Sequence, residues 1–283
     1  MIVLIAILLA IQAGQAASLP GISVPAKAAV VMDSSGSLLY AKYPDSKLAP
    51  ASTVKLVTAM VVIDRLSPEH TVKISRNAGK VRSIQPKLHC DEELTVSDLM
   101  HLALMKSVNS AAVALAEATA GSERDFVTLM NRKAKEIGAH NTLFANASGL
   151  PHGIQYTTAH DLALIMRTAL SYTLIREILG KKGYLIRTAG GRELYLENSN
   201  DLLWQQDNMI GGKTGYTGNA RHCFVGAINT EKGPLFTAVL GARSRSSLWK
   251  SALLLAEIGK DPELTDFKEK FSLGRGALLD SPR

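Results

Sequence analysis

Residues 48–60, LAPASTVKLVTAM, carry the strongest structural signal in this 283-residue chain, because a proline introduces an apolar helix there. Proline is favoured at the first position of a helix. Apolar side chains recur downstream at helical spacing, at Val54, Val57, Met60, Val61 and Ile63. Ser52 and Lys55 are three residues apart, so one helix face would bring the lysine amine within reach of the serine hydroxyl.

A serine beside a lysine in this arrangement can act as a nucleophile. The first turn of a helix leaves backbone N–H groups unpaired near the serine hydroxyl. The lysine can take the serine proton only if its pKa falls, through burial or a second nearby cation. The spacing alone is unspecific, because Ser247-Leu248-Trp249-Lys250 repeats it. For Ser52 by itself, an N-cap serine or a serine of the first helical turn is the simpler interpretation.

A second candidate motif, Ser107-Val108-Asn109, lies between two predicted helices. Its hydroxyl can relay a proton, and its amide can hold a peptide group of a substrate. The same pattern occurs at Ser75-Arg76-Asn77, where helix capping explains it equally well. Taken alone, this triplet favours a cap.

The third motif, Lys213-Thr214-Gly215, occurs once, at the predicted opening of a strand. A strand edge can bind an extended peptide, and glycine permits close approach. Lys213 would supply the cation that lowers the pKa of Lys55, and Thr214 would bind a substrate carboxylate. A phosphate-binding loop is excluded, because Asp207 stands where that loop needs glycine.

The remaining pattern places strands at both ends of the chain and helices in its middle. Turn residues between short apolar runs predict three hairpins, at 27–33 with 38–42, 184–188 with 194–196, and 222–229 with 235–240. Residues 67–170 are mostly helical in pattern, and 247–258 form a closing helix. We therefore predict an α+β fold, an antiparallel sheet built from both chain ends with an inserted helical subdomain.

Composition narrows the classes of function. Lys plus Arg number 32 and Asp plus Glu 25, which gives a net charge of +7, and 46% of residues are hydrophobic. These values fit one large domain or two closely packed ones and exclude a mainly disordered chain. Aromatic residues make up only 5%, so a base-stacking platform for nucleic acid is not expected. The positive net charge would suit an anionic polymer or a membrane as well as nucleic acid, and it favours none of them strongly.

The chain ends suggest export. Residues 1–17 carry an apolar run of signal-peptide length followed by small residues, which predicts export to the periplasm or cell exterior. Residues 18–260 would form the catalytic domain. The tail at 261–283 has no long apolar stripe, so we expect at most weak membrane association. Cys90 and Cys223 are too few for a disulfide scaffold, and whether they pair is left open.

Taken together, the three motifs are far more specific than any one. In this order they mark penicillin-binding proteins and class A β-lactamases. The chain most closely resembles the low-molecular-mass penicillin-binding proteins, the serine D-alanyl-D-alanine carboxypeptidases of peptidase family S11. The resemblance covers about residues 27–258 and includes 48–60, FANASGLPHGIQYTTAHDLALIM at 144–166, ENSNDLL at 197–203 and IGGKTGYT at 210–217.

The resemblance implies a β-lactamase/DD-peptidase (transpeptidase-like) fold and a role for each motif residue. Ser52 would be acylated with Lys55 as its base, and Ser107 would assist proton transfer. Substrate would be bound by Asn109, Lys213, Thr214, Gly215 and Tyr216. The backbone N–H groups of Ser52 and Tyr216 would form an oxyanion hole. The substrate would be a peptidoglycan stem peptide ending in D-Ala-D-Ala, with β-lactams as covalent inhibitors and no metal or cofactor. Arg243 or Arg245 would bind the terminal carboxylate.

Several alternatives remain beside this interpretation. A D,D-endopeptidase that cleaves cross-links would use the same residues, and a non-catalytic wall- or β-lactam-sensing module would keep only the fold. A class A β-lactamase is disfavoured, because such an enzyme activates its deacylating water with a glutamate that has an asparagine four residues on. That asparagine is missing after Glu117, Glu123, Glu136, Glu177, Glu193 and Glu197. No Gly-x-Ser-x-Gly elbow supports a Ser-His-Asp hydrolase. His152, His160 and His222 lack the spacing of a metal site.

Overall fold

The computed structural model describes residues 23–261. The predicted signal peptide at 1–17, the first five residues of the predicted catalytic domain and all but the first residue of the predicted tail lie outside them. The strands are β1 (Ala28–Met32), β2 (Leu38–Lys42), β3 (Thr71–Lys73), β4 (Glu93–Thr95), β5 (Gly183–Arg187), β6 (Glu193–Glu197), β7 (Met209–Thr217), β8 (Arg221–Ile228) and β9 (Leu235–Ala242). None of the helices in this part of the chain is long and apolar enough to cross a membrane.

Most helices lie in the middle of the chain, as predicted, and one lies at the end of the described residues. They are α1 (Lys55–Ile63), α2 (Arg76–Lys80), α3 (Val96–Met105), α4 (Asn109–Ala120), α5 (Glu123–Ile137), α6 (Ala159–Ala169), α7 (Thr173–Gly180), α8 (Leu202–Gln205) and α9 (Arg245–Lys260). A 3-10 turn, Ala51–Val54, leads into α1. Threonine or serine side chains cap α3, α5, α6 and α9 by accepting a backbone N–H three residues on.

The main sheet joins the two ends of the chain, as predicted. Its order is β2-β1-β9-β8-β7, and every neighbouring pair is antiparallel. Val30 of β1 lies opposite Ala238 of β9, so the first strand pairs with the last. The three predicted hairpins are all present, with β5 and β6 forming a separate two-stranded sheet. The α+β prediction is confirmed.

The two faces of the sheet are covered by different helices. Successive residues of β1 point to opposite sides, and Val30 packs with the helical region whereas Val31 packs with α9. On the side of α9 the core contains Leu248, Leu255 and Ile258. The other face carries α6 and, beyond it, α1, which is apolar almost all round. This packing fixes the residues before α1 beside β7 and β8.

The structure corrects two predicted boundaries. The inserted region is not wholly helical, because β3 and β4 form a short hairpin inside it and α7 extends the helices to Gly180. The Lys-Thr-Gly motif lies in the middle of β7 rather than at its opening. Gly211 and Gly212 belong to β7. A Cβ at Gly211 would lie 2.7 Å from Leu179 Cβ, and a Cβ at Gly212 would lie 2.6 Å from the Phe224 ring, so neither position has room for a side chain. These glycines permit close packing within the strand.

The two cysteines lie in different environments. Cys90 is exposed and Cys223 is buried, and both are free thiols. Of the two, Cys223 alone is a small buried side chain, and they do not form a disulfide with each other. Burial raises the pKa of the Cys223 thiol to about 11, so it stays protonated at neutral pH.

Candidate active site

All three motifs meet at one cavity of about 430 Å³ between the helical region and the edge of β7. Its lining includes Ser52 from the first motif, Ser107 and Asn109 from the second, and Thr214 and Gly215 from the third, with Tyr216 beside them. Lys55 and Lys213 are fully buried behind this surface. The chain thus brings together every predicted site residue, although the motifs are about 50 and 100 residues apart.

Ser52 lies in the 3-10 turn, and Lys55 is the first residue of α1. Lys55 Nζ lies 2.8 Å from Ser52 Oγ, and Ser52 Oγ lies 3.4 Å from the Ser148 carbonyl oxygen. The Ser52 hydroxyl caps neither the turn nor α1, so the N-cap interpretation is wrong, whereas Ser52 does belong to the turn that begins the helix. Ala51, directly before the serine, has a φ of +49°, a left-handed conformation that is strained for alanine.

Lys55 has two further hydrogen-bond partners besides Ser52. Its Nζ lies 2.8 Å from Asn109 Oδ1 and 2.6 Å from the Ser148 carbonyl oxygen. No carboxylate of residues 23–261 pairs with it. Burial, and secondly the charge of Lys213, lowers the pKa of the Lys55 amine well below its ordinary value. The amine therefore loses its proton at a lower pH than an ordinary lysine does.

The partners also determine where the lone pair of the neutral amine points. A neutral lysine has two N–H groups and one lone pair. The Ser148 carbonyl and Asn109 Oδ1 can only accept, so they take the two N–H groups. The orientation of the Asn109 amide is set by its Nδ2, which donates to the Arg82 carbonyl oxygen at 2.9 Å. Ser52 is the one partner with a proton to give, and the lone pair faces it.

Ser107 occupies the short connection between α3 and α4. Its φ is +64°, a second left-handed non-glycine conformation beside the cavity. Asn109 opens α4, and its backbone N–H donates to Ser83 Oγ at 2.8 Å. Ser83 thus pairs a backbone N–H at the start of α4 that has no partner within the helix, and this contact holds Asn109 against Lys55.

The third motif places a second buried amine near Lys55. Lys213 Nζ donates to the Thr214 carbonyl oxygen at 2.8 Å, and burial lowers its pKa to about 7. Thr214 Oγ1 lies 2.8 Å from Ser199 Oγ. At Gly215 a Cβ would lie 2.9 Å from Ser52 N, so only glycine lets β7 approach the serine turn this closely. The backbone N–H groups of the serine turn thus lie against β7.

Of the two candidate arginines, the structure places Arg245 at the cavity, whereas Arg243 is absent from the described lining residues. Asp201 holds Arg245 by two contacts, Nη2 to Oδ1 at 2.7 Å and Nε to Oδ2 at 3.1 Å. His222 also lines the cavity, with its ring centroid 4.6 Å from that of Tyr216. Within residues 23–261, no group of three metal-binding side chains lies close enough to hold an ion.

Two functional contacts were not assigned from the sequence. One is the Ser148 carbonyl on Lys55, and the other is the Ser199 hydroxyl on Thr214. Both residues lie in stretches that the family resemblance includes, 144–166 and 197–203. Sequence pattern alone could not assign them, because a backbone carbonyl leaves no residue-type signal and neither partner is near in sequence.

Comparison with known proteins agrees with the motifs. The family model described as D-alanyl-D-alanine carboxypeptidase, peptidase family S11, matches residues 13–244. The chain is 34% identical over 223 residues to D-alanyl-D-alanine carboxypeptidase DacF of Bacillus subtilis (strain 168), covering 77% of this chain and 57% of that relative. It is 30% identical over 220 residues to a D-alanyl-D-alanine endopeptidase of Escherichia coli (strain K12), covering 76% and 70%.

The fold comparison gives the same result. A D-alanyl-D-alanine carboxypeptidase structure from Mycobacterium tuberculosis H37Rv superposes with a TM-score of 0.81 at 30% identity, covering 86% of this chain and 94% of that one. The chain spans little more than half the length of the Bacillus relative. With the match at 13–244 taking in all three motifs of the cavity, the chain belongs to peptidase family S11, the D-alanyl-D-alanine carboxypeptidases.

Proposed function

We propose that this protein is a serine D,D-carboxypeptidase that removes the terminal D-alanine from peptidoglycan stem peptides. One observation carries the proposal: Lys55 Nζ lies 2.8 Å from Ser52 Oγ, and its two other partners can only accept hydrogen bonds. This arrangement supports a neutral lysine that takes the serine proton. Membership of peptidase family S11 supports the substrate class.

In the acylation step, the Ser52 proton moves to Lys55 Nζ as Ser52 Oγ attacks the carbonyl carbon of the penultimate D-alanine. The carbonyl oxygen becomes an oxyanion, which the backbone N–H groups of Ser52 and Tyr216 would stabilise. Collapse of the tetrahedral intermediate breaks the peptide C–N bond. The leaving D-alanine amine takes the proton from Lys55, relayed by the Ser107 hydroxyl, and an ester on Ser52 remains.

Deacylation uses the same groups, with water as the nucleophile and Ser52 Oγ as the leaving group. A water molecule gives a proton to the neutral Lys55 and attacks the ester carbonyl carbon. The ester C–O bond then breaks, Ser52 Oγ regains its proton, and the shortened peptide leaves with a new carboxylate. β-Lactams would acylate Ser52 by the same first step, since their strained amide presents an equivalent carbonyl.

Recognition of the terminal carboxylate would fall to the third motif and its neighbours. The Thr214 hydroxyl lies on the cavity surface and can donate to a carboxylate oxygen. Lys213 and Arg245 would add positive charge near it, with Asp201 orienting the Arg245 guanidinium. Asn109, which lines the cavity beside Lys55, would hold the peptide amide.

We further propose that the protein is exported and acts on the wall side of the membrane, with weak membrane association at most. The apolar segment at 1–17 supports export. The net charge of +7 would favour anionic wall polymers, an attraction that salt should weaken. Sedimentation with purified walls at low and high salt tests this, and absence of binding at low salt would contradict it.

A second candidate activity is D,D-endopeptidase cleavage of cross-links, which the E. coli endopeptidase relative favours. The same serine would attack a D-alanyl carbonyl, with the side-chain amine of a second stem peptide as leaving group. The two activities differ only in what the outer part of the cavity accepts. They are separated by comparing a stem pentapeptide with a cross-linked muropeptide dimer as substrates.

The test is D-alanine release from a stem pentapeptide by the wild type and by Ser52→Ala. Ser247→Ala is a matched control, because Ser247 belongs to the second Ser-x-x-Lys match, at the start of α9. We expect release by the wild type and by Ser247→Ala, and none by Ser52→Ala. Release by Ser52→Ala at the wild-type rate would exclude Ser52 as nucleophile. No release by a folded wild type would exclude the carboxypeptidase activity.

A further inference from the structure

The side chain of Asn146 makes four of the hydrogen bonds that hold the turn at residues 146–150. Asn146 is 6% exposed, and its Oδ1 accepts from Gly149 N at 2.7 Å, from Ser148 N at 3.2 Å and from Ser148 Oγ at 3.2 Å. Its Nδ2 donates to the Leu150 carbonyl oxygen at 2.8 Å. The amide therefore binds both sides of the turn, and its removal would leave several buried polar groups unpaired.

This turn presents the Ser148 carbonyl to the catalytic pair. That oxygen lies 2.6 Å from Lys55 Nζ and 3.4 Å from Ser52 Oγ. Gly149 has a φ of +81°, and a Cβ there would lie 2.0 Å from the Ala51 carbonyl oxygen. The turn is therefore packed directly against the backbone that precedes the nucleophile. A change in its shape would change the surroundings of both catalytic side chains.

We propose that Asn146 is a positioning residue for catalysis: it fixes the Ser148 carbonyl, which in turn fixes the direction of the Lys55 lone pair. The inference rests on the proposed function of Lys55 as the base. If the Ser148 carbonyl turned away, one N–H of the neutral amine would lose its acceptor. The amine could then rotate and donate to Ser52 Oγ, and its lone pair would no longer face the serine proton.

A purely structural role for Asn146 is the alternative, and the chain contains a matched residue for that role. Asn131 on α5 also holds this segment from both sides, with Phe144 N donating to its Oδ1 at 2.8 Å and its Nδ2 donating to the Phe144 carbonyl oxygen at 3.0 Å. Phe144 makes no hydrogen bond to Ser52 or Lys55 in the described part of the chain. Asn131→Ala therefore disturbs the same segment without changing the acceptor on Lys55.

Four titratable or charged side chains lie around the turn and Lys55. Lys213 on β7 acts on the Lys55 amine, and Glu123 on α5 accepts from Ala147 N through its Oε1 at 2.9 Å. Arg124 on α5 and His152 line the surface cavity that also contains Asn146 and Ser148. Asn146→Asp would keep the oxygen that binds Gly149 N while adding a negative charge next to Ser148, whose carbonyl oxygen binds Lys55. That charge would stabilise the ammonium form, so Lys55 would lose its proton only at higher pH.

The first experiment measures acylation of Ser52 by a fluorescent penicillin at pre-steady state, in the full protein, with folding checked by thermal denaturation. We expect Asn146→Ala to lower the limiting acylation rate by about 10- to 100-fold. The dissociation constant of the non-covalent complex should stay within about twofold. Asn131→Ala should lower the melting temperature while keeping both constants within about twofold of the wild type.

The second experiment follows the acylation rate against pH. We expect the acid limb of Asn146→Asp to move to higher pH by about one unit or more, and that of Asn131→Ala to stay in place. If Asn146→Ala does not fold, the pH profile of Asn146→Asp tests the proposal instead. An unmoved limb in Asn146→Asp, or equal rate losses in Asn146→Ala and Asn131→Ala, would overturn the proposal. A folded wild type that penicillin does not acylate would instead overturn the proposed function.

Discussion

A lysine amine lies at each end of helix α1, Lys55 within the helix and Lys133 from α5, and the pKa values of the two are shifted in opposite directions. At its start Lys55 is fully buried and bonded to neutral oxygens, and burial with the charge of Lys213 holds its pKa well below the ordinary value. At the other end Asp64 follows the helix, and Lys133 Nζ from α5 lies 2.7 Å from Asp64 Oδ2 and 3.2 Å from Glu136 Oε2. Burial also acts on Lys133, yet its hydrogen bonds to these carboxylates outweigh it and raise the pKa to about 12.

The difference shows what converts a lysine from an ion-pair partner into a base. Lys133 retains 17% side-chain exposure and has two carboxylates, so its ammonium is both hydrated and compensated. Lys55 is fully buried and pairs with no carboxylate of the described residues. Deep burial with uncharged acceptors lowers the pKa of a lysine amine and so favours its neutral form, and this burial lowers the stability of the fold.

Removing the base should give the largest effect. We expect Lys55→Met to lower the rate of Ser52 acylation by about 10³-fold or more, because no other group contacts Ser52 Oγ as a base. Lys250→Met is the matched control, since Lys250 has the same spacing to Ser247 and is exposed. Fluorescent penicillin labelling measures both variants. Labelling of Lys55→Met at the wild-type rate would mean that Lys55 is not the base.

The second buried amine should be costly to the fold. The pKa of Lys213 falls from 10.5 to about 7. We expect Lys213→Met to raise the free energy of unfolding by about 2–4 kcal/mol at pH 7, after subtracting the lost bond to the Thr214 carbonyl.

The sign of this effect follows from proton binding. Between about pH 7 and 10.5 the unfolded wild type holds a proton on Lys213 that the native state lacks, so wild-type stability rises with pH. The advantage of Lys213→Met is therefore full below pH 7 and declines towards zero near pH 10.5. Urea denaturation at three pH values measures it, and a loss of stability at pH 7 would contradict the prediction.

Giving Lys55 a carboxylate should make it resemble Lys133. In Asn109→Asp the new carboxylate would replace the amide oxygen that lies 2.8 Å from Lys55 Nζ. We expect the acid limb of the acylation profile to rise by about 1–3 pH units, because a nearby opposite charge stabilises the ammonium. The profile of initial acylation rate against pH measures the shift. An unchanged limb would show that the missing carboxylate does not set the state of Lys55.

Removing a carboxylate from Lys133 should give the smallest effect. We expect Asp64→Asn to lower the free energy of unfolding by about 1 kcal/mol or less, because the pair is partly exposed and Glu136 remains. The Tyr172 hydroxyl, which donates to Asp64 at 2.9 Å, can still bond to the amide oxygen. Urea denaturation measures the free energy of unfolding, and penicillin labelling measures the acylation rate, which should stay at the wild-type value. A fall in acylation rate would mean that the two ends of α1 are coupled.

Much of the fold could be predicted because its signals are local. The turn residues at 34–36 predicted the β1–β2 hairpin, and the apolar spacing after Pro50 predicted α1. The hairpin of β3 and β4 was missed, since strands of three residues carry too little periodicity. The opening of β7 was placed too late, because paired glycines that permit close packing have the same sequence signal as a turn.

The same limit applies to the candidate site. Ser52 and Lys55 are three residues apart, so helix geometry alone predicted their contact. The Ser148 carbonyl lies 93 residues from Lys55 and belongs to the backbone, which no residue type reveals. The suggested action of Lys213 on the Lys55 amine agrees with the structure, as a contribution smaller than burial. Burial of this degree depends on packing that sequence patterns do not specify.

The pH dependence of Ser52 acylation by penicillin tests the central claim most directly. If Lys55 is a base with a strongly lowered pKa, the wild-type rate levels off well below the ordinary lysine pKa of about 10.4. A rate that continues to rise about tenfold per pH unit through pH 9 would be that of an amine with an ordinary pKa. That result would contradict the account of Lys55 as a buried, neutral amine.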